Sequence, residues 1–452
     1  MGIALALLVI SAQSFPAQLT GFDRRWEEIK RQATPIELYA ILQELPKGGD
    51  LHNHHEYSVP MTEWLRLASA RHYYTRVKAS VCAEEKGAPL LYYSVRSSTY
   101  EALPACVRGD YKKMELLTLD ERKAWVSALE LDQPGEGRDE FFERVVRRLN
   151  ELERDPEIMA EMMQVQIRQA REENTLYVEA QLDPRYFRHP DGKRMGQDQG
   201  ADFIRKRLKA SDVVMRFQVS ELRFTPDVEA ELADAFDFVH RNSDLWKGVN
   251  LVGREDDVNG RAGRFTETFR QLRRRYFNVR LALHGGESEL PGQQVRDTLM
   301  LGAERIGHGT NLISDADTLL LLRHNRYLVE VNLVSNYLLG YAPDLKQHPL
   351  PEYLRLGIPV CLNTDDRGAL RSNLTDDYFL AVKHFNLSWQ EVVRLGRYSL
   401  EFAFVEEPVK AQLLATYQQR VVQFASRYSV PNWRQVARPA RPSVFATERL
   451  LR

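Results

Sequence analysis

Short apolar runs rich in β-branched residues alternate, over most of this chain, with longer stretches whose apolar positions recur at helical spacing. The runs predict strands over 47–54, 175–182, 212–219, 248–252, 279–283, 305–307, 327–333 and 358–363. Helices are expected over 157–174, 201–210, 226–242, 264–277 and 315–325, the last capped by Ser314, and again from about 389 to 428. Strands separated by helices form parallel βα units, and eight of them match an α/β chain closed into a (β/α)8 TIM barrel.

The alternation fails in three places. Residues 22–45 have helical spacing and run into the breaker LPKGG at 45–49, ahead of the first strand. From 73 to 150 the strand–helix regularity is lost, so this stretch reads as an insertion after strand one. Residues 431–452, with RPARP, read as an exposed extension. The expected division is a leader over 1–17, an N-terminal helix and first strand over 18–72, the insertion over 73–150, the rest of the barrel over 151–428 and the extension over 429–452.

Composition narrows the partner. Lys+Arg number 62 against Asp+Glu 63, and hydrophobic residues make up 43% of the 452. That is an ordinary globular balance with no basic excess for nucleic acid or an anionic membrane, so a small molecule is the default ligand. The apolar run over 3–10, followed by Ser11, Ala12, Ser14 and Ala17, has the form of a secretory signal, although no Lys or Arg precedes it. The expectation is a secreted or periplasmic protein; an ordinary apolar N-terminus on a cytoplasmic one is the alternative. The run is too short to span a membrane. Of three cysteines, Cys361 sits in an apolar run, whereas Cys82 and Cys106 flank a loop-rich stretch. A disulfide would stabilise that stretch in an oxidising compartment, and two unrelated thiols would suit a reducing one.

The candidate chemistry lies at strand ends. His52 and His54 are two apart on strand one and face the same side. His284 ends strand five and Asp365 ends strand eight, which places both at the same height on a barrel. Three imidazoles and one carboxylate suit zinc with an open position for water. Glu287, His308 and Asp366 surround that set, as groups able to give or take protons. Taken singly, each has a plainer reading: a structural histidine at 284, a surface glutamate at 287, a helix N-cap at 365–366.

Taken together, LHNH (51–54), HGGE (284–287), ERIGHG (304–309) and NTDD (363–366) resemble the motifs of the adenosine/AMP deaminase family of metal-dependent hydrolases, over about 45 to 407. The segments 247–256 and 330–336 resemble its fourth- and seventh-strand segments. The resemblance implies one zinc per chain on His52, His54, His284 and Asp365, and conversion of adenosine, or a close 6-aminopurine nucleoside, to inosine and ammonia. It implies that Glu287 protonates the purine N1, that His308 orients or deprotonates the attacking water, that Asp366 holds N7 and that the backbone N–H of Gly253 meets the purine. Glu56 stands where the family carries an aspartate for the ribose hydroxyl, in the variant segment His55-Glu56-Tyr57-Ser58. No lysine follows there as in AMP deaminases, which disfavours a phosphate-bearing substrate. The leader and the cysteine-bearing insertion resemble the secreted growth-factor-like group of the family, but the N-terminal dimerisation extension of its animal members is missing, so its dimer mode does not transfer and the oligomeric state stays open. Two other readings use the same barrel: a single-metal amidohydrolase with another substrate, and an extracellular binding or signalling protein.

Overall fold

The computed structural model describes residues 21–82, 90–255, 258–288 and 292–452; the expected leader over 1–17 lies outside them. Among the described residues eleven strands are seen: β1 (Gly48–His54), β2 (Tyr74–Arg76), β3 (Ser94–Val95), β4 (Tyr111–Lys113), β5 (Thr175–Gln181), β6 (Val214–Leu222), β7 (Trp246–Val252), β8 (Arg280–Gly285), β9 (Arg305–His308), β10 (Leu328–Val331) and β11 (Val360–Leu362). Eight of them form one parallel sheet in the order β1-β5-β6-β7-β8-β9-β10-β11. The ends meet where Asp365 N–H donates to the His52 carbonyl at 2.9 Å and Leu51 N–H to Asn363 Oδ1 at 3.0 Å. The chain is therefore a nearly closed (β/α)8 TIM barrel, as its alternation predicts.

Several boundaries move for local reasons. The helical stretch 22–45 is two helices, Asp23–Gln32 and Pro35–Glu44, because Thr34 and Glu37 form a capping box and Pro35 takes the first helical position. Strand β6 runs on to Leu222 because Ser220, Glu221 and Leu222 extend its pairing with β7. Strand β10 stops at Val331, and the chain turns at Asn332 into the helix Leu333–Leu338. Asp315, not Ser314, caps the helix Ala316–His324: its carboxylate accepts from Thr318 N–H, while Ser314 Oγ donates back to Asn311 O at 2.7 Å.

The barrel floor is packed closely by the helix Trp389–Glu401. Gly48 has φ +77°, and a Cβ there would lie 2.0 Å from the Gly396 carbonyl oxygen, so only glycine fits. Inside the barrel Arg305 is fully buried between Glu179 and Glu330, with its guanidinium 3.8 Å from the Phe404 ring centroid. A charge removed from water this far persists only because both carboxylates pair with it.

The segment after β1 has its own antiparallel sheet in the order β3-β2-β4, and Cys82 and Cys106 are joined by a disulfide with Cα atoms 5.9 Å apart. Its last turns carry Phe141, Phe142 and Val146 to the barrel mouth. The expectation of an exposed C-terminal extension is corrected. Trp433, Phe445 and Ala446 are buried, Phe445 N–H donates to Arg371 O at 3.0 Å, and Ser443 Oγ donates to Asp376 at 2.6 Å. Apolar anchors spaced along a proline-rich, charged tail are enough to dock it.

Candidate active site

Strand alternation turns His52 and His54, at the carboxyl end of β1, into the barrel, and β8 and β9 deliver His284 and His308 to the same level. His308 and Asp365 both have positive φ, 64° and 54°, an uncommon backbone state for non-glycine residues that aims their side chains into the mouth. The His52 ring centroid lies 4.5 Å from that of His284 and 4.8 Å from that of His308. Ligand atoms of His52, His54 and His284 all fall within 4.8 Å of one another, as do those of His52, His308 and Asp365.

The outward nitrogens are already committed. His52 Nδ1 donates to Glu330 Oε2 at 2.8 Å, and Arg305 Nε holds Glu330 in turn at 2.7 Å. His284 Nδ1 donates to Asn250 Oδ1 at 3.0 Å. Both rings thus present Nε2 to the centre. Among the described residues His52 Nε2, His308 Nε2 and Asp365 Oδ1 are buried without any hydrogen-bond partner, although such atoms are costly to leave unpaired. His54 Nε2 lies 3.4 Å from Asp365 Oδ1. Burial pushes His54 down to about 4 and His284 well below the ordinary imidazole value, which keeps both rings neutral at pH 7, the form that ligates a metal. Imidazole nitrogens and a carboxylate that converge with buried, unpartnered atoms fit a divalent cation.

Beside this cluster opens a cavity lined by the predicted residues Glu56, Gly253, Glu287, His308, Asp365 and Asp366. Glu287 Oε1 is 3.6 Å from His308 Nε2, and the turn carrying it is held by Glu255, which accepts from the Gly286 and Glu287 N–H groups at 2.8 and 3.1 Å. Burial, then the charges of Asp365 and Glu255, push the Glu287 carboxyl well above the carboxylate range. Asp366 is pushed up likewise by burial, Asp365 and Glu287. Glu56 is half-buried, and burial together with Glu153 and Asp183 raises it to about 8. Lys247, at the start of β7, pairs with Glu406 away from the mouth.

Sequence reasoning missed part of the lining: Glu153, Asp183 and Tyr186, and the apolar wall of Phe141, Phe142 and Val146. Asp183 stands just past the end of β5 and was legible by the strand-end rule that found His284. The wall residues lie in a stretch of helical spacing over 140–152, but no strand-end rule aims an insertion outside the barrel repeat at the mouth.

The family model for adenosine deaminase matches residues 124–419, most of the barrel although not the strand bearing His52 and His54. The chain is similar to adenosine deaminase of Plasmodium falciparum, at 23% identity over 63% of this chain and 77% of that protein. It is 33% identical to adenosine deaminase of Vibrio parahaemolyticus over 38% of this chain, and spans about half (51%) of that protein's length. It is 32% identical to adenine deaminase of Agrobacterium fabrum over 54% of this chain and 74% of that protein. Among solved structures, adenine deaminase from Arthrobacter aurescens superposes with a TM-score of 0.61 at 20% identity, covering 83% of this chain and 99% of that one. A zinc-bound amidohydrolase from Burkholderia ambifaria superposes with a TM-score of 0.64 at 19% identity, covering 86% and 94%. The barrel, the motif residues gathered at its mouth and the family model over the strands that carry most of them lead to one assignment: the chain belongs to the adenosine deaminase family of hydrolytic deaminases.

Proposed function

We propose that this chain deaminates adenosine, or a close 6-aminopurine nucleoside, by hydrolysis to inosine and ammonia, using one zinc per chain on His52, His54, His284 and Asp365. The observation that carries the reading is Glu287: a buried carboxyl, pushed toward its protonated form by burial and the charges of Asp365 and Glu255, facing the same space as His308 and the histidine cluster. A zinc ion bound there supplies Lewis acidity that brings the pKa of water toward neutrality. Glu287 meets the purine N1 and delivers its proton as water adds at C6, so negative charge does not accumulate on the ring; of the water's two protons, one leaves with the amine as ammonia and the other restores the Glu287 carboxyl as the C6 carbonyl forms. Asp366, whose carboxyl is pushed toward its neutral form by burial and by Asp365, hydrogen-bonds N7, and the N–H of Gly253 holds the far edge of the purine. Phe141, Phe142 and Val146 cover the base and limit access of bulk water. Glu56, Glu153 and Asp183 line the part of the cavity left for the ribose, and among the described residues no lysine or arginine lines it, which favours an uncharged nucleoside over its phosphate.

Ammonia release from adenosine and from AMP, measured alongside metal content, tests this reading. Adenosine turnover well above AMP turnover with about one zinc per chain is expected. A loaded protein that releases no ammonia from any 6-aminopurine nucleoside would instead be a binding protein on this fold.

We also place the protein in an oxidising compartment, secreted or periplasmic, on the Cys82–Cys106 bridge. Alkylation mapping of protein taken from its native compartment is expected to find Cys361 as the free thiol and Cys82 and Cys106 blocked; two free thiols there would remove the support for export. Among the described residues no helix is long and apolar enough to cross a membrane.

A further inference from the structure

The two ring nitrogens of His308 are not equivalent, and a chain of hydrogen bonds that starts at a backbone amide decides which of them carries the proton. The helix Leu350–Leu356 opens with the N–H of Leu350, one of the first-turn donors that have no partner within a helix. It donates to Nδ1 of His348 at 3.1 Å. A backbone N–H only donates, so His348 Nδ1 is the bare nitrogen. His348 is buried, which pushes its pKa down to about 3 and keeps it neutral, and a neutral imidazole has one bare nitrogen and one N–H. The proton of His348 is therefore on Nε2, which donates to Asn336 Oδ1 at 3.3 Å.

That contact orients the Asn336 amide. With its oxygen toward His348, its nitrogen faces the other way and donates to His308 Nδ1 at 3.0 Å. The reverse orientation would set an amide N–H against the N–H of His348, and the Leu350 donor leaves His348 no second bare nitrogen with which to accept it. Asn332 Nδ2 stands 3.2 Å from the same nitrogen of His308. The ring proton of His308 is thus on Nε2, the atom that faces the cavity without a protein partner.

We propose that Asn336 and His348 are positioning residues that hold His308 as its Nε2–H tautomer, so that His308 donates a hydrogen bond to the oxygen arriving at the reacting carbon and does not take that oxygen's proton through Nε2. The identity of the oxygen rests on the deaminase reading; the tautomer is a property of the protein alone, so the two fail separately.

Neutron diffraction, or 15N spectroscopy of the histidine rings, on metal-loaded protein at neutral pH reads the tautomer directly. Hydrogen on Nε2 of both His308 and His348 is expected, and hydrogen on Nδ1 of His308 overturns the proposal. Asn336→Asp sets an isosteric carboxylate opposite Nδ1, which is expected to draw the ring proton to that side. The cavity then loses its donor, and kcat on adenosine falls by about 10²-fold while KM moves less than about threefold. A folded, metal-replete Asn336→Asp protein with the wild-type tautomer and kcat would show that Asn336 does not set the ring. Should that variant fail to fold, the wild-type tautomer decides alone. A protein that shows Nε2–H but deaminates nothing loses the proposed function and keeps the tautomer.

Discussion

Glu287→Gln is expected to keep zinc and nucleoside binding while lowering kcat on adenosine by ~10²–10⁴-fold, the span associated with losing a general acid. That factor is about 3–5 kcal/mol of barrier. Glutamine keeps the shape of the side chain and one N–H donor but has no proton to release as charge develops on N1. The direction of the pKa shift adds a pH signature. A carboxyl raised above its ordinary value keeps its proton to higher pH than a free carboxyl and loses it as the pH climbs through the raised value. Wild-type kcat should therefore decline on the alkaline side as Glu287 ionises, and the residual activity of the glutamine variant should lack that limb. A kcat within tenfold of wild type, with metal intact, would remove Glu287 as the acid and with it the strongest support for a deaminase over another zinc hydrolase.

Asp365→Ala should cost the protein its metal. Asp365 brings the one carboxylate to a set otherwise made of imidazoles, and its Oδ1 is buried without a hydrogen-bond partner. The loss of affinity is expected to exceed the roughly 10–100-fold that follows removal of an outer-shell partner. Glu330→Gln provides that comparison in the same protein. Glu330 accepts from His52 Nδ1 and touches the site only through that ring, so its replacement should weaken metal binding within the 10–100-fold range. Metal retained per chain after dialysis against graded chelator ranks the three proteins. Full occupancy in Asp365→Ala would move Asp365 out of the ligand set, and equal losses in the two variants would erase the distinction between ligand and support.

The insertion and the tail show why some of this molecule lies beyond pattern reading. The segment after β1 has no barrel repeat to follow, yet it supplies the apolar wall of the cavity at the barrel mouth and a small sheet closed by the Cys82–Cys106 bridge. The tail looks exposed because proline and arginine dominate it. Three apolar side chains and the Ser443–Asp376 hydrogen bond nevertheless dock it onto the barrel. Neither outcome follows from local spacing, since both depend on which distant surface is left free once the barrel has closed.

By itself the sequence determined the barrel and the set of polar residues at its rim. Both rest on short-range regularities: the period of two that turns His52 and His54 the same way, the strand–helix alternation that makes parallel units, and the strand ends that must converge once eight such units close. Only the tertiary structure decided how the rim is held. Glu330 reaches His52 across 278 residues of chain, Arg305 locks Glu330 from inside the barrel, and the proton on His308 is set by Asn336, His348 and the first free N–H of a helix. These groups carry no motif, because a buried hydrogen bond asks only for a donor and an acceptor in the right place, and the place is a property of the closed barrel.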